Sequence, residues 1–512
     1  MSKEISQGHE ARMKLKKGID IACDAVRPTL GAVGMTAMIE YPGLDPIECD
    51  DGVTILKNIE LKDHYENMGV QMLRKAAIRT SQEGGDGTAT TTVLTQALVN
   101  EVFKEIANDS SKIRKVRERL KLGLAEVLTE LEKVKKIVTE DDIEKIATIS
   151  SLDAEVAKLI AEVIKDIGVN GVVTVEKGSK LGYTKEVVKG MRFSKGLISP
   201  YFVNDRENNQ CVLENPYIVL ADRKISMNEQ IIGLLNSIGT GNDILFIADD
   251  VDSVALGTLA HNAINGIAKI GCVRNPYSAS AARDFLFDVA ALTGGTVISE
   301  EKGMKLDKAT VELCGRAEKV VITKDSTTII GGVSNEYLTE RIKDIESQIE
   351  TTTSDYEKGI LSDRLAALTG GIGVIRVGAY TDTEFHAKKY KFENAINATQ
   401  AALQEGVIAG GGIALYNVKD VEPLFYNMLK APLKQMAVNA GIDNGRLLYS
   451  TYAMKSDEGI DFRTGETVNM FDAGIIDPYK VTRLALESAV AIASALVGTE
   501  TVIVTEEKDE SK

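Results

Sequence analysis

A mainly helical domain interrupted by an α/β domain is the fold class that this sequence predicts, and three observations predict it. Its 512 residues exceed what one hydrophobic core usually supports, so two or three domains are expected. Apolar residues recur at helical spacing in both end regions. Between those regions, β-branched runs alternate with helical stretches, the pattern of an α/β unit. Two halves of one helical domain separated by a long insertion accommodate all three.

Taken in order, the first region extends from Glu10 to Val134. Ala11–Ala25, Met68–Ser81, Thr91–Ala107 and Ser111–Val134 each carry an apolar stripe of helical period. Thr36–Tyr41 and Pro46–Thr54 read as short strands around the turn Asp50-Asp51-Gly52. Within the insertion, Gly171–Val175, Tyr217–Leu220, Ile244–Ile247, Lys269–Val273 and Thr296–Ile298 read as strands, and Asn228–Ile238 and Val254–Ile267 as helices. Leu338, Ile342, Ile345 and Ile349 mark an amphipathic helix, and Ser354-Asp355-Tyr356-Glu357 reads as a capping box opening its partner, so a helical hairpin packed on its own domain is expected. Gly190 and Gly370-Gly371 bracket the α/β insertion, either as hinges or as plain boundary turns. From Thr399 onward the pattern is again mainly helical.

Composition excludes several classes. With 44% hydrophobic and 26% charged residues the chain reads as soluble and globular. A net charge of −15 argues against a nucleic-acid backbone or an anionic membrane as main partner. The five cysteines, Cys23, Cys49, Cys211, Cys272 and Cys314, are scattered and form no C-x-x-C pair, which suggests buried thiols in a reducing compartment. Residues 1–18 lack an apolar signal core and no later apolar run approaches the roughly 20 residues of a membrane span, so a cytoplasmic location is expected. The four histidines show no H-E-x-x-H spacing, and neither a G-x-S-x-G elbow, a G-x-x-x-x-G-K-[ST] loop nor a kinase signature set occurs, which disfavours metal or serine hydrolysis, a generic NTPase and a small-molecule kinase.

The stretch Gly85-Asp86-Gly87-Thr88-Ala89-Thr90-Thr91-Thr92, followed by the apolar run Val93–Ile106, is the most informative segment. Two glycines let backbone approach a phosphate, Asp86 offers a hard oxygen to Mg²⁺, and hydroxyls and free amides at a helix start hold anionic oxygens. An ordinary turn with an N-cap produces the same local pattern.

The chain as a whole resembles the group I chaperonins, the GroEL-type ring-forming folding machines. The resemblance runs from about Lys14 to Val504 and rests on Thr29-Leu30-Gly31, Asp51-Gly52-Val53, Glu66-Asn67-Met68-Gly69, Gly85-Asp86-Gly87-Thr88, Ala147-Thr148-Ile149-Ser150, Ser199-Pro200-Tyr201-Phe202, Thr293-Gly294-Gly295-Thr296-Val297-Ile298-Ser299, Ala409-Gly410-Gly411-Gly412 and Asp477-Pro478. It implies a multidomain α and α/β fold of GroEL-like equatorial (1–136 and 405–512), intermediate (137–188 and 373–404) and apical, client-binding (189–372) domains. It also implies an ATP-dependent chaperonin: an ATPase that captures unfolded or partly folded proteins and assists their folding in a ring cavity. ATP and Mg²⁺ are the implied cofactors, with K⁺ a further candidate. The implied partners are non-native proteins, six further copies in a seven-membered ring and a lid co-chaperonin, with no nucleic acid and no membrane.

Carried over by position, the resemblance places Thr29, Leu30, Gly31, Ala32 and Asp50 beside the nucleotide, and Asp86, Gly87, Thr88, Ala89 and Thr90 on its phosphates, with Asp86 as metal ligand. Gly411 backs the ribose, Asp477 meets its hydroxyls, and Asp461, Phe462 and Arg463 lie near the base. Asp51 and Asn394 take the catalytic positions. Several of these residues depart from the family pattern. Ala32 and Val33 replace proline and lysine, Asp50 replaces lysine, Ala89 replaces threonine, and Asp461-Phe462-Arg463 replaces Asn-Ala-Ala. Asn394 replaces the aspartate that promotes water attack, so an ATP-binding holdase or cage with little hydrolysis is the alternative function. The client groove would comprise Leu197, Tyr201, Phe202, Ile232, Leu235, Leu256, Ala260 and His261, the last two less apolar than in the family. The segment Thr501–Thr505 is expected to pair with Met35–Glu40 of a neighbouring subunit. An insertion within Glu105–Glu118 puts ring pairing in doubt. The departures resemble those of divergent chaperonins, including ones carried by large bacteriophages.

Overall fold

The computed structural model describes residues 3–40, 46–106, 109–139, 142–151, 153–168, 171–178, 181–206, 208–277, 279–299, 301, 303–332, 336–352, 354–443, 445 and 454–505; the tail Glu506–Lys512 lies outside them. The chain divides into two compact units, Met1–Ala161 with Ala387–Lys512, and Glu162–His386. Both chain ends therefore build one unit, and the central stretch builds another.

The first unit opens with β1 (Lys3–Gln7), α1 (Gly8–Val26), the ribbon β2 (Ala37–Ile39) and β3 (Ile47–Cys49), then α2 (Gly52–Asn58), α3 (His64–Gly84), α4 (Thr88–Ile106), α5 (Ile113–Val134) and α6 (Ile143–Ser151), and the boundary at Ala161 falls within α7 (Ala154–Ile167). Along α1, Ala11, Leu15, Ile19, Ala22 and Val26 form the buried stripe that its periodicity predicts. Backbone-to-backbone contact joins α1 to α3: a Cβ at Gly18 would overlap the Glu66 carbonyl, and one at Gly69 the Leu15 carbonyl. Only glycine permits that approach. The strand expected over Pro46–Thr54 is corrected, because β3 stops at Cys49 and a helix begins at Gly52. Asp51 caps that helix, accepting from the amides of Val53 (3.3 Å) and Thr54 (2.8 Å). The cap outweighs the strand preference of the β-branched residues that follow.

In the second unit, β4 (Val172–Lys177), β5 (Tyr183–Phe193), β6 (Cys211–Glu214), β7 (Tyr217–Ile225), α8 (Glu229–Ile238), β8 (Asp243–Val251), α9 (Ser253–Ile264), β9 (Lys269–Arg274), α10 (Ala279–Thr293) and β10 (Val297–Ile298) follow in order. After β11 (Gly315–Arg316), β12 (Lys319–Ile322) and β13 (Thr327–Ile330) come the helices α11 (Glu336–Thr351) and α12 (Asp355–Thr369) and the strand β14 (Gly371–Val377). Four of the five expected strands form a parallel sheet of order β10-β7-β8-β9, with β11 antiparallel on β7, whereas the strand expected at Gly171–Val175 joins a different sheet as β4. A second sheet of order β4-β14-β5-β13-β12-β6 went largely unforeseen, because most of its strands are short or half-exposed. Gly190 and Gly371 lie inside this sheet and not in turns; a Cβ at Gly190 would meet the Ile329 carbonyl at 2.5 Å. The α11–α12 pair packs on its own unit as expected. Its Arg341 and Arg364 grip the fully buried Asp288 of α10 at 2.7 and 2.6 Å. Ser354 caps α12 by accepting from the Glu357 amide, whereas the Glu357 carboxylate accepts from the Thr352 hydroxyl and leaves the box half-closed.

The chain returns through α13 (Asp382–Glu405), β15 (Val407–Ala409), α14 (Ile413–Tyr416), α15 (Tyr426–Asn439), the ribbon β16 (Glu458–Asp461) and β17 (Glu466–Asn469), then β18 (Ile476–Pro478), α16 (Tyr479–Gly498) and β19 (Thr501–Thr505). This end is less helical than its periodicity suggests, since β15 pairs with β18 and β19 with β1. The expectation that no apolar run approaches membrane-span length is also corrected: α16 has 20 residues and is apolar enough. It packs against α3, α4 and α5, with Leu486, Ala489, Ala493, Leu496 and Val497 fully buried. All five cysteines are free; four are buried and Cys49 is half-buried.

Candidate functional site

The loop joining α3 to α4 is built by two left-handed glycines. Gly85 (φ 85°) ends α3 and donates its amide to the Ser81 carbonyl at 2.7 Å, and Gly87 (φ 97°) precedes α4. Side chains at both positions would be strained, and a Cβ at Gly87 would stand 2.7 Å from Val481 Cγ1. The first bond of α4 runs from the Thr91 amide to the Gly87 carbonyl at 2.8 Å, so the amides of Thr88, Ala89 and Thr90 precede the helical ladder. They form the positive end of a 19-residue helix, a disposition suited to anionic oxygens.

The segments around Gly52 and Val481 meet this loop, and two glycine turns are tied to each other through α15. Gly52, beside Asp51, packs on Thr88 and Val26: its Cβ position is 2.9 Å from Thr88 Cγ2 and 3.2 Å from Val26 Cγ1. The start of α16 supplies Val481 against Gly84 and Gly87, and Asp477 stands just before it, opposite Ile408 in the β15–β18 ladder. Met436 of α15 touches the Cβ positions of both Gly31 (2.7 Å) and Gly412 (3.2 Å), and so ties the Thr29-Leu30-Gly31 turn to the Gly410-Gly411-Gly412 turn. Asn439, a turn later, donates to the carbonyls of Arg27 (3.1 Å) and Leu30 (2.8 Å). Residues far apart in sequence are thereby brought into contact.

The electrostatics are those of uncompensated carboxylates. Burial raises the Asp86 carboxyl above the usual range; the Gly87 amide, donating at 2.5 Å, opposes the rise, and the charge of Asp51 adds to it. Asp86 is also exposed to water along part of its side chain. Burial pushes Asp477 up to about 7, with Asp86 contributing. Among the described residues none of the three forms an ion pair with lysine or arginine, and no set of three His, Cys, Asp or Glu side chains is grouped to hold a metal. One carboxylate, completed by phosphate oxygens and water, is nevertheless a fitting donor set for Mg²⁺.

Several carried-over residues have other surroundings. Ala32 and Asp50 are exposed. Asp461 accepts from the Arg463 amide (3.0 Å) and, in a two-point pair, from its guanidinium (3.1 Å each), which holds the Asp461 carboxyl below the usual range. Phe462 is a core residue, 4.0 Å from the Cβ position of Gly411. Asn394 is half-buried on α13, three residues before Asn397, whose Cβ overlaps the Cβ position of Gly85. The buried hydroxyls of Thr91 and Thr95 find no hydrogen-bond partner among the described residues, a feature for which only the threonine run gave a signal.

In the second unit, α8, α9, the turn Pro200–Phe202 and Leu197, which bridges to Val273 of β9, carry the residues assigned to client binding. Tyr201 (65% exposed), Ile232 (45%) and His261 face solvent, while Leu197, Leu235 and Leu256 are half-buried. Phe202 and Ala260 pack into the core instead. Met227, Val254 and Ile264 are exposed nearby and were not anticipated, since periodicity cannot say which side of a helix a neighbour covers.

The family model of the TCP-1/cpn60 chaperonin family matches residues 23–238, 234–421 and 423–507. Among solved structures, the chaperonin gp146 from the bacteriophage EL 2 of Pseudomonas aeruginosa, crystallised in the presence of ATP-BeFx, is similar in two crystal forms. Form II gives a TM-score of 0.68 at 19% identity, and form I 0.63 at 21%; each match covers 98% of this chain and 99% of the other.

Proposed function

Because the chain belongs to the TCP-1/cpn60 chaperonin family, we propose that it is a ring-forming chaperonin whose first unit binds and hydrolyses ATP and whose second unit captures non-native polypeptides. The observation that carries this reading is the convergence of Asp51, Asp86 and Asp477 on the open N-terminal amides of α4. Those amides and the hydroxyls of Thr88 and Thr90 receive phosphate oxygens, Asp477 receives the ribose hydroxyls, and the Gly410–Gly412 turn lets the sugar approach backbone. Asp86 holds Mg²⁺, which when bound supplies charge neutralisation to the phosphates. Asp51 accepts the proton of the attacking water. That two crystal forms of a similar phage chaperonin were obtained with ATP-BeFx supports the choice of nucleotide.

The same reading divides the chain into equatorial (1–136, 405–512), intermediate (137–188, 373–404) and apical (189–372) domains. Tyr201, Ile232, Leu235 and Leu256, joined by Met227, Val254 and Ile264, offer an apolar surface to clients of varied sequence. Each Å² removed from water there contributes roughly 25 cal/mol without demanding a particular partner. The exposed cross-strand pair Ile5–Ile503, on the outer face of β1–β19, is suited to contact with the β2 ribbon of a neighbouring subunit in a seven-membered ring. Asn394 favours a second reading, an ATP-binding holdase with slow turnover, because an amide cannot take up a proton as a carboxylate does. Calorimetric titration with Mg·ATP, steady-state phosphate release and particle images by electron microscopy test these readings. A chain that binds no nucleotide and runs as a monomer overturns both.

A further inference from the structure

The two oxygens of Asp51 are held unequally. Its Oδ2 accepts from the Thr54 amide at 2.8 Å and from the Thr54 hydroxyl at 2.6 Å. Among the described residues its Oδ1 accepts only a long bond, 3.3 Å, from the Val53 amide. An ionised carboxylate accepts about four hydrogen bonds, so the unfilled capacity lies mainly on Oδ1. The two backbone amides reach one oxygen each, and the hydroxyl adds a second, short contact on Oδ2, which fills that oxygen and leaves Oδ1 the less occupied. The platform beneath is fixed too, since Gly52 abuts Thr88 at the start of α4 and the Cys49 thiol donates to the Asp51 carbonyl at 3.6 Å. Burial raises that thiol, so it stays protonated beside the carboxylate and adds no charge. The half-buried Thr54 hydroxyl lies between the Asp51 carboxylate, to which it donates, and the Cys49 thiol.

We infer that Thr54 is a positioning residue for ATP hydrolysis: its hydroxyl saturates Asp51 Oδ2 and thereby presents Oδ1 as the oxygen that takes the proton of the attacking water. This rests on the reading of Asp51 as proton acceptor given above. The proton leaves water for Oδ1 as the water oxygen bonds to the γ-phosphorus and the bond from that phosphorus to the β,γ-bridging oxygen breaks, with ADP departing. Thr54 acts here through Asp51. Its removal therefore lowers the rate of the chemical step and leaves nucleotide affinity in place, whereas a merely structural role would lower affinity and melting temperature together.

The test uses the full chain and single-turnover hydrolysis of Mg·ATP, with Kd from titration and melting temperature measured alongside. Thr54→Val keeps the shape and the backbone amide but removes the hydroxyl, and is expected to slow hydrolysis about tenfold with Kd within twofold. Thr54→Ser restores the hydroxyl and is expected to recover the rate to within twofold. Should Thr54→Val melt early, Thr54→Ala is compared with Thr54→Ser at a temperature where both are folded. A rate for the hydroxyl-free variants equal to that of Thr54→Ser overturns the inference. Asp51→Asn separates the two levels: a slow Asp51→Asn beside an unaffected Thr54→Val refutes the role of Thr54 alone, while an unaffected Asp51→Asn refutes the role of Asp51 as well.

Discussion

Replacing Asp477 by Asn is expected to stabilise the nucleotide-free protein at alkaline pH while weakening its hold on ATP. Burial first, and then the neighbouring Asp86, raise the folded-state value of Asp477 from the ordinary 3.8 to about 7. At 1.36 kcal/mol per pH unit, keeping the group ionised in the folded state costs at most about 4 kcal/mol. Asp477 is only partly buried, so solvent screening reduces this to about 2 kcal/mol. The sign follows from proton linkage. Between pH 4 and 7 the folded state binds more protons than the unfolded state, so stability falls as pH rises through that window and the full penalty is reached only above 7. Asn removes a penalty that is complete at pH 8, less than half as large at pH 5, and absent below pH 4. For a unit of this size a gain of about 2 kcal/mol raises the melting temperature by about 4 °C. Calorimetric melts of both proteins at pH 5 and pH 8, without nucleotide, read the difference directly, and titration with Mg·ATP is expected to show roughly tenfold weaker binding from the lost charge-assisted bond to the ribose. A melting difference that is the same at both pH values, or of opposite sign, refutes the argument that Asp477 is held ionised against its surroundings.

Three other outcomes are expected. Asn394→Asp should raise steady-state ATP turnover by on the order of 10²- to 10⁴-fold at similar nucleotide affinity, and equal or lower turnover would remove this position from catalysis. Tyr201→Glu should abolish capture of an unfolded client, measured by suppression of its aggregation, with ATP binding intact, because the charge must be desolvated when an apolar segment docks; Phe202→Glu is unsuited to the same test, since Phe202 is buried and the variant is expected to unfold. Deleting Thr501–Lys512 should weaken assembly in sedimentation runs, but it also strips β19 from β1, so Ile503→Glu on the exposed face gives the cleaner readout, and unchanged oligomers would place the subunit contact elsewhere.

How far the sequence reached is clearest at Asp51 and Asp86. The glycines around Asp86 announce a left-handed loop before a helix, because no other residue accepts those backbone angles cheaply, and that part of the site was legible locally. Asp51 was read as a turn between strands, and only the folded chain shows it as the cap of α2, its carboxylate aimed by Thr54. The helices with strong apolar stripes, α1, α4 and α5, fell close to where periodicity put them. The six-stranded sheet did not, since its short strands draw their pairing from partners up to about 200 residues away and carry little signal of their own. The apolar helix α16 meets a membrane-span test by composition, and only its burial against α3, α4 and α5 distinguishes it as core.

By itself, then, the sequence determined the order of helical and α/β regions, the glycine loop before α4 and the family resemblance, all of which depend on local spacing and residue type. Tertiary structure alone decided which distant carboxylates stand together, and that Phe202 and Ala260 turn inward while Val254 and Ile264 turn outward. Those outcomes depend on packing between segments far apart in the chain. A side chain's partner, burial and charge environment exist only once the chain has brought those segments into contact.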